Sequence, residues 1–235
     1  MSRPTVAPAG VLPAPRLRRA VQLLIGLVLY ALSMALLVDA ALGNMPWDVL
    51  SEGVARRTGL SFGAVTLVIS ALVLACWVPM RQRPGVGTVA NVLVIGLLAD
   101  PFLALVAGVG DLAVGWRVVV AAAGIGLNGL ATALYVGAGL GPGPRDGLMT
   151  GLVARTGRPV ALVRTAIEVA VVLSGIALGG TFGVTTVAYA LLVGPLVHVL
   201  LPPLRIAPAG PPHAARVDAT VVRPAPPEQG RTTVV

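Results

Sequence analysis

One pattern is written twice in this chain. Residues 46–59 and 144–157 both read P-x-D-x-L-x-x-G-x-x-x-R-T-G, 98 positions apart. The register continues without a gap on both sides, pairing Gly26 with Gly124, Leu42-Gly43 with Leu140-Gly141, and Thr88-Val89-Ala90 with Thr186-Val187-Ala188. Roughly a third of positions match between 19–98 and 117–196, against about a tenth expected from a Leu-, Val-, Ala- and Gly-rich composition. Biased composition accounts for aliphatic matches. It does not account for Pro, Asp, Arg, Thr and Gly in one shared register. The chain therefore reads as a duplication, and any fold proposed for one half must serve the other.

Hydrophobic residues make up 56% of the chain and charged ones only 11%. That is too little polar surface for a soluble protein of this length, so the reading is an integral membrane protein. Apolar runs at about 20–42, 61–79, 86–107, 117–139, 159–178 and 183–202 give six spans, three per repeat. The first run exceeds the roughly 7–15 residues of a signal-peptide core, so it reads as a retained helix. Each motif copy, with Pro in its first turn and Gly at its end, reads as a short amphipathic helix, flat on the interface or re-entrant. In the first copy Trp47, Leu50 and Val54 form the apolar face. The expectation is an all-α membrane protein: two repeats of three transmembrane helices over 19–110 and 111–203, flanked by disordered Pro/Ala/Arg-rich tails at 1–18 and 204–235.

Charge sets the orientation. The net charge of +8 comes from seventeen Arg with no Lys. With the N-terminus inside, Arg3, Arg16, Arg18, Arg19, Arg81, Arg83, Arg145, Arg155, Arg158 and Arg205 fall on inner segments. Only Arg56, Arg57 and Arg117 fall outside. Both termini are thus expected in the cytoplasm. Three spans per repeat then turn the second repeat upside down relative to the first, a geometry that recurs in transporters. The arginine clusters suit anionic lipid headgroups better than nucleic acid, since no base-stacking aromatics accompany them. A single cysteine, Cys76, excludes an internal disulfide, and two histidines with one cysteine argue against a His/Cys metal site. No HExxH, G-x-S-x-G or phosphate-loop signature is present, so neither enzyme nor cofactor is expected.

The candidate residues are the polar ones inside apolar surroundings. Asp48 and Asp146 are the repeated carboxylates. Each either lines a solute path or caps its helix, with Arg57 or Arg155 as its partner. Arg164 and Glu168 stand i, i+4 on the fifth span, where charges pair and face the protein interior; their counterparts are Thr66 and Ser70. Asp100 and His198 share a register position near span ends, open to a proton relay or to simple interfacial placement. Asn91 and Asn128 read as polar contacts between helices, and Gly26, Gly96, Gly124 and Gly194 as sites of close helix packing.

The stretches at 43–96 and 139–197, with PWD…RTG, RQRPGxGT and GPRDGLM…RTG, resemble the bacterial YczE/YyaS/YitT-like family of multi-pass membrane proteins. The resemblance covers about 19–203 and implies a bacterial cytoplasmic membrane protein. It supplies no catalytic or binding residues. The function expected is a small transporter or permease for an unidentified solute. The alternatives are a non-transporting accessory or regulatory protein and the membrane subunit of a multi-protein importer, with a homo-oligomer or another membrane protein as partner.

Overall fold

A computed structural model describes residues 14–206. Among them are eight α-helices and one 3-10 turn: α1 (Ala14–Asp39), α2 (Pro46–Thr58), α3 (Phe62–Ala75), α4 (Val86–Val106), the turn at Val109–Asp111, α5 (Val114–Gly137), α6 (Pro144–Thr156), α7 (Val160–Leu178) and α8 (Val184–Leu204). The tails assigned to disorder lie mostly outside the described residues. Where the tail was drawn to residue 18, helix α1 already runs from Ala14.

Five helices (α1, α4, α5, α7 and α8) are long and apolar enough to cross a bilayer. The expected span at 61–79 is the exception. Helix α3 has 14 residues, about 21 Å, short of ~30 Å of hydrocarbon. The chain leaves Ala75 in turns, and Pro79, which disfavours helical conformation in Val78, keeps the helix from resuming. With α2, to which it is joined at a 118° bend, it forms either a sixth, broken span or a re-entrant loop.

Helices α1 and α5 form the centre, each packed on the other and on the last helix of its own half, α4 or α8. Leu23, Leu27, Met34 and Leu37 of α1 are buried at helical spacing, and Ala121 and Ile125 of α5 face them. Small residues set the distance. A β-carbon at Gly26 falls 2.7 Å from the Tyr135 backbone nitrogen, and one at Gly124 falls 2.9 Å from Leu37. With lipid outside, packing rather than hydrophobic exclusion joins such helices, so close approach is what stabilises the pair. Outward-facing Leu24, Ile25, Leu93, Leu97, Val118 and Leu191 present the apolar surface a bilayer requires.

The motif copies dock crosswise. Helix α2 lies mainly on α7 and also meets α3, while α6 lies between α3 and α7. Arg57 donates to the Leu178 carbonyl at 3.3 Å, and Arg155 donates to that of Pro79. The N–H groups of Gly87 and Thr185 donate to the carbonyls of Leu140 and Leu42 at 2.9 and 3.1 Å. The Gly87 and Thr185 contacts are counterparts 98 residues apart with the halves exchanged, and the acceptors of Arg57 and Arg155 differ from that register by one residue. The motif's chemistry is then legible: Pro opens the helix, Arg binds carbonyls of the other half, and Gly59 and Gly157 (φ +72° and +65°) close it in the left-handed conformation. The expected apolar face of α2, Trp47, Leu50 and Val54, packs on Val65, Ile69 and Val73 of α3, and a second face is more deeply buried. Pro46, Asp48, Val49, Ser51 and Gly53 are the buried residues, because the face against α7 and the α7–α8 loop carries the polar junctions.

The seams beside the core differ. Helix α3 packs tightly on α4: a β-carbon at Gly96 falls 2.3 Å from Leu67 Cγ. Asp100 accepts from Ser61 Oγ at 2.6 Å and from the Gly63 N–H at 2.8 Å, tying the two helices. Between α7 and α8 there is a gap. Gly194, the counterpart of Gly96, has no neighbour within 4 Å of its β-carbon position. Pro159 and His198 replace Ser61 and Asp100, and His198 is exposed. Asp100 thus anchors a helix start, while its counterpart anchors nothing. Replacing Asp100 with Ala is expected to cost about 1–3 kcal/mol, since hydrogen bonds to an ionised group are lost. Thermal melts in detergent check this, with His198→Ala expected to melt like the parent.

Candidate functional site

The gap between α7 and α8 opens into a cavity of about 360 Å³. The N-terminal ends of both motif helices close its inner wall: Trp47 and, from α6, Arg145 and Asp146. Arg164 and Glu168 come from α7, and Tyr189 from α8. A smaller chamber of about 50 Å³ adjoins it, bounded by Thr66, Ser70, Asn91, Tyr135, Arg145 and Asp146, among others.

Arg145 links the two motif helices. Its Nη2 donates to Asp48 Oδ1 at 3.4 Å, and its guanidinium carbon lies 5.2 Å from the centre of the Trp47 ring. The π-face attracts the cation while Asp48 offsets its charge. Asp48 is fully buried, and its other oxygen, Oδ2, has no hydrogen-bond partner. Asp146 faces both cavities and accepts from the Tyr135 hydroxyl at 2.7 Å.

The expected partners of these carboxylates are corrected. Neither carboxylate makes a cap hydrogen bond to its own helix, whose cap positions are Met45 and Gly143. Nor does Arg57 or Arg155 reach them, because both arginines are drawn to carbonyls at the far ends of their helices. Asp48 and Asp146 instead sit in the first turn, near the positive helix end, and turn inwards.

The other candidates divide. Arg164 and Glu168 pair at 2.9 Å and line the large cavity. Their register counterparts, Thr66 and Ser70, line the small one, so equivalent helix positions in the two halves flank the same α6 start. Asn128 is buried, donates to Ser33 Oγ at 2.8 Å and accepts from the Tyr189 hydroxyl at 2.7 Å, joining α1, α5 and α8. Asn91 borders the small chamber. Asp100 and His198 stand apart from both cavities. Cys76 is exposed.

Three contributors escape the sequence reading. Arg145 and Trp47 occupy the same variable position between Pro and Asp, where a repeat comparison shows only a mismatch. Glu52 is the third. It accepts from Asn44 Nδ2 at 2.7 Å, from the Thr181 N–H at 2.6 Å and from Arg56 at 2.5 Å, fastening α2 to the loop before α8. Its counterpart is Thr150, so the repeat hides it too.

Apolar helices of spanning length around a buried ion pair and a polar-centred cavity define a multi-pass helical membrane protein. Within that class the chain belongs to a family of unknown function, DUF6198, whose profile matches residues 17–202. An uncharacterised protein of Haemophilus influenzae is 38% identical over 182 residues, covering 75% of this chain and 83% of the relative. An uncharacterised membrane protein of Bacillus subtilis, YczE, is 31% identical over 179 residues, covering 75% and 82%. YyaS of Bacillus subtilis, also uncharacterised, is 26% identical over 180 residues, covering 76% and 90%. These relatives match the resemblance seen at the two motif copies. No solved structure matches the chain significantly.

Proposed function

We propose that the protein is a small-solute transporter of the bacterial cytoplasmic membrane, whose two halves are inverted repeats that open in alternation. One observation carries this reading: two seams at equivalent positions are in different states, α3–α4 packed and α7–α8 open over a polar-centred cavity. If the halves exchange states, α7 closes on α8 while α3 moves from α4 towards α6, and the cavity changes its exit. The crosswise contacts 98 residues apart support the inversion, since such an exchange needs equivalent surfaces on both halves. In this reading the chain does no covalent chemistry. The solute lies between α6, α7 and α8, with Arg145, Asp146, Arg164 and Glu168 as its polar contacts. Both termini are cytoplasmic, α2 lies at the outer face so that Thr58 meets the outside, α3 carries the chain from there towards the inner face, and the arginine clusters meet anionic lipid.

Topology tests the reading. Ser51 is fully buried, so labels belong at the exposed ends of the motif helices, Thr58 and Thr156. In a Cys76→Ala background, single cysteines there are treated in intact cells with a membrane-impermeant thiol reagent. Labelling at 58 and not at 156 is the expected result. Equal labelling from outside removes the inversion, and an accessory-protein role then replaces transport.

A further inference from the structure

We propose that the small chamber beside the start of α6 is a binding site for one monovalent metal cation of sodium size. Its use as a coupling ion rests on the transport reading; its binding does not.

The chamber is lined by oxygen donors from several helices: the Thr66 and Ser70 hydroxyls of α3, the Asn91 amide of α4, the Tyr135 hydroxyl of α5 and the Asp146 carboxylate of α6. Three of these groups gather around Gly143. A β-carbon there would lie 3.2 Å from Asp146 Oδ2, 3.3 Å from the Tyr135 hydroxyl and 3.5 Å from Asn91 Nδ2, so the missing side chain is what lets the three approach one another. A half-turn of the Asn91 amide presents its oxygen there in place of its nitrogen.

Two further features distinguish this place from ordinary polar packing. The first is Thr66. Its side chain is buried, 2% exposed, and Oγ1 has no hydrogen-bond partner. Several helical hydroxyls in this chain return to the backbone carbonyl four residues earlier, as Thr58, Thr156 and Ser174 do. Thr66 forgoes that bond and borders the chamber, so a ligand is what satisfies it. The second is charge. Asp146 has no cation within 4 Å among the described residues, and the charge of Arg145 is taken by Asp48. Arg145, Asp48 and Asp146 together carry one negative charge. A single positive charge neutralises the group, whereas a divalent ion leaves an excess in a low-dielectric setting. Carboxylate, amide and hydroxyl oxygens are hard donors suited to such an ion, and no His or Cys is present to favour a softer one. At roughly 10–15 Å³ for each water-sized position, the chamber of about 50 Å³ holds an ion with about two to four waters.

The test uses the full chain purified in detergent. Its thermal midpoint is followed as choline chloride is replaced by sodium chloride at constant ionic strength. The expected result is a saturable rise with sodium that potassium and choline do not reproduce. Asp146→Asn abolishes the rise. Thr66→Val, which removes a buried unpaired hydroxyl and so leaves the sodium-free midpoint unchanged or higher, raises the half-saturating sodium concentration at least tenfold. Asp111→Asn, on an exposed loop, leaves the response intact. A parent midpoint indifferent to sodium, an equal response to all three cations, or Thr66→Val and Asp146→Asn proteins with the parent's half-saturation each overturns the proposal. Because no solute is needed, a sodium response stands even if the topology labelling rules out inversion. Its absence leaves transport intact, with a proton as the remaining coupling ion.

Discussion

Arg145→Met is expected to destabilise the folded protein by about 3–5 kcal/mol, the cost of leaving a buried carboxylate without its partner. Asp48 is completely buried, and Arg145 is the cation that faces it. Methionine keeps the length of the side chain and some contact with Trp47 but removes the charge. The measurement is recovery of monodisperse protein by size exclusion, with thermal melts of what remains. Adding Asp48→Asn to Arg145→Met is expected to restore most of the loss, since the uncompensated charge is then gone. Asp48→Asn alone is expected to be milder, because Arg145 still lies over Trp47 and borders the large cavity, where its charge is less costly. Failure of the double substitution to recover would mean that the arginine acts through packing rather than charge.

The second large effect concerns the open seam. Cysteines at Leu67 and Gly96, in a Cys76→Ala background, are expected to cross-link at once in membranes treated with oxidant, since Gly96 already touches Leu67. The equivalent pair, Thr165 and Gly194, is expected to cross-link as well, although Gly194 faces open space in the structure. A protein that keeps the form described here joins only the first pair. One that alternates joins both, with each cross-link trapping one form and reducing the yield of the other. Pre-forming the 67–96 bond should therefore hold α7 away from α8 and suppress the second link several-fold. Independent formation of the two links would remove alternation while leaving local flexibility of α7.

The sequence made much of the framework readable because its periodicity and its duplication report the same thing. Apolar runs at bilayer length place α1, α4, α5, α7 and α8 within a few residues, and the i, i+4 spacing foretells the Arg164–Glu168 pair. What is not legible is the partner of each motif helix. Arg57 and Asp48 lie close in sequence on one helix, which invites pairing them, yet the helix is long enough to send one inwards and the other onto α7. The crossing of the halves is a long-range fact with no local trace. The same holds for Arg145, which reads as one more orientation charge until α2 brings Asp48 beside it. Repeat comparison favours what is shared, and the centre of this site is built from positions where the halves differ: Trp47 and Arg145, Thr66 and Arg164, Ser70 and Glu168, Asn91 and Tyr189.

The crosswise docking of the motif helices has a consequence for descent. Where α2 meets α7, Val49 lies against Gly175; a β-carbon at 175 would fall 2.6 Å from the Val49 carbonyl carbon. Where α6 meets α3, the bulk has changed sides, and Gly147 lies against Trp77, 1.8 Å from its own β-carbon position to Cζ2. A chain built from two copies of the first half would force Val49 onto Trp77, and one built from two copies of the second would face glycine with glycine across a void. Neither parent arrangement survives in the present residues. If the halves descend from one copy, they have diverged at these contacts as a lock and its key, each fitting the other and not its own likeness.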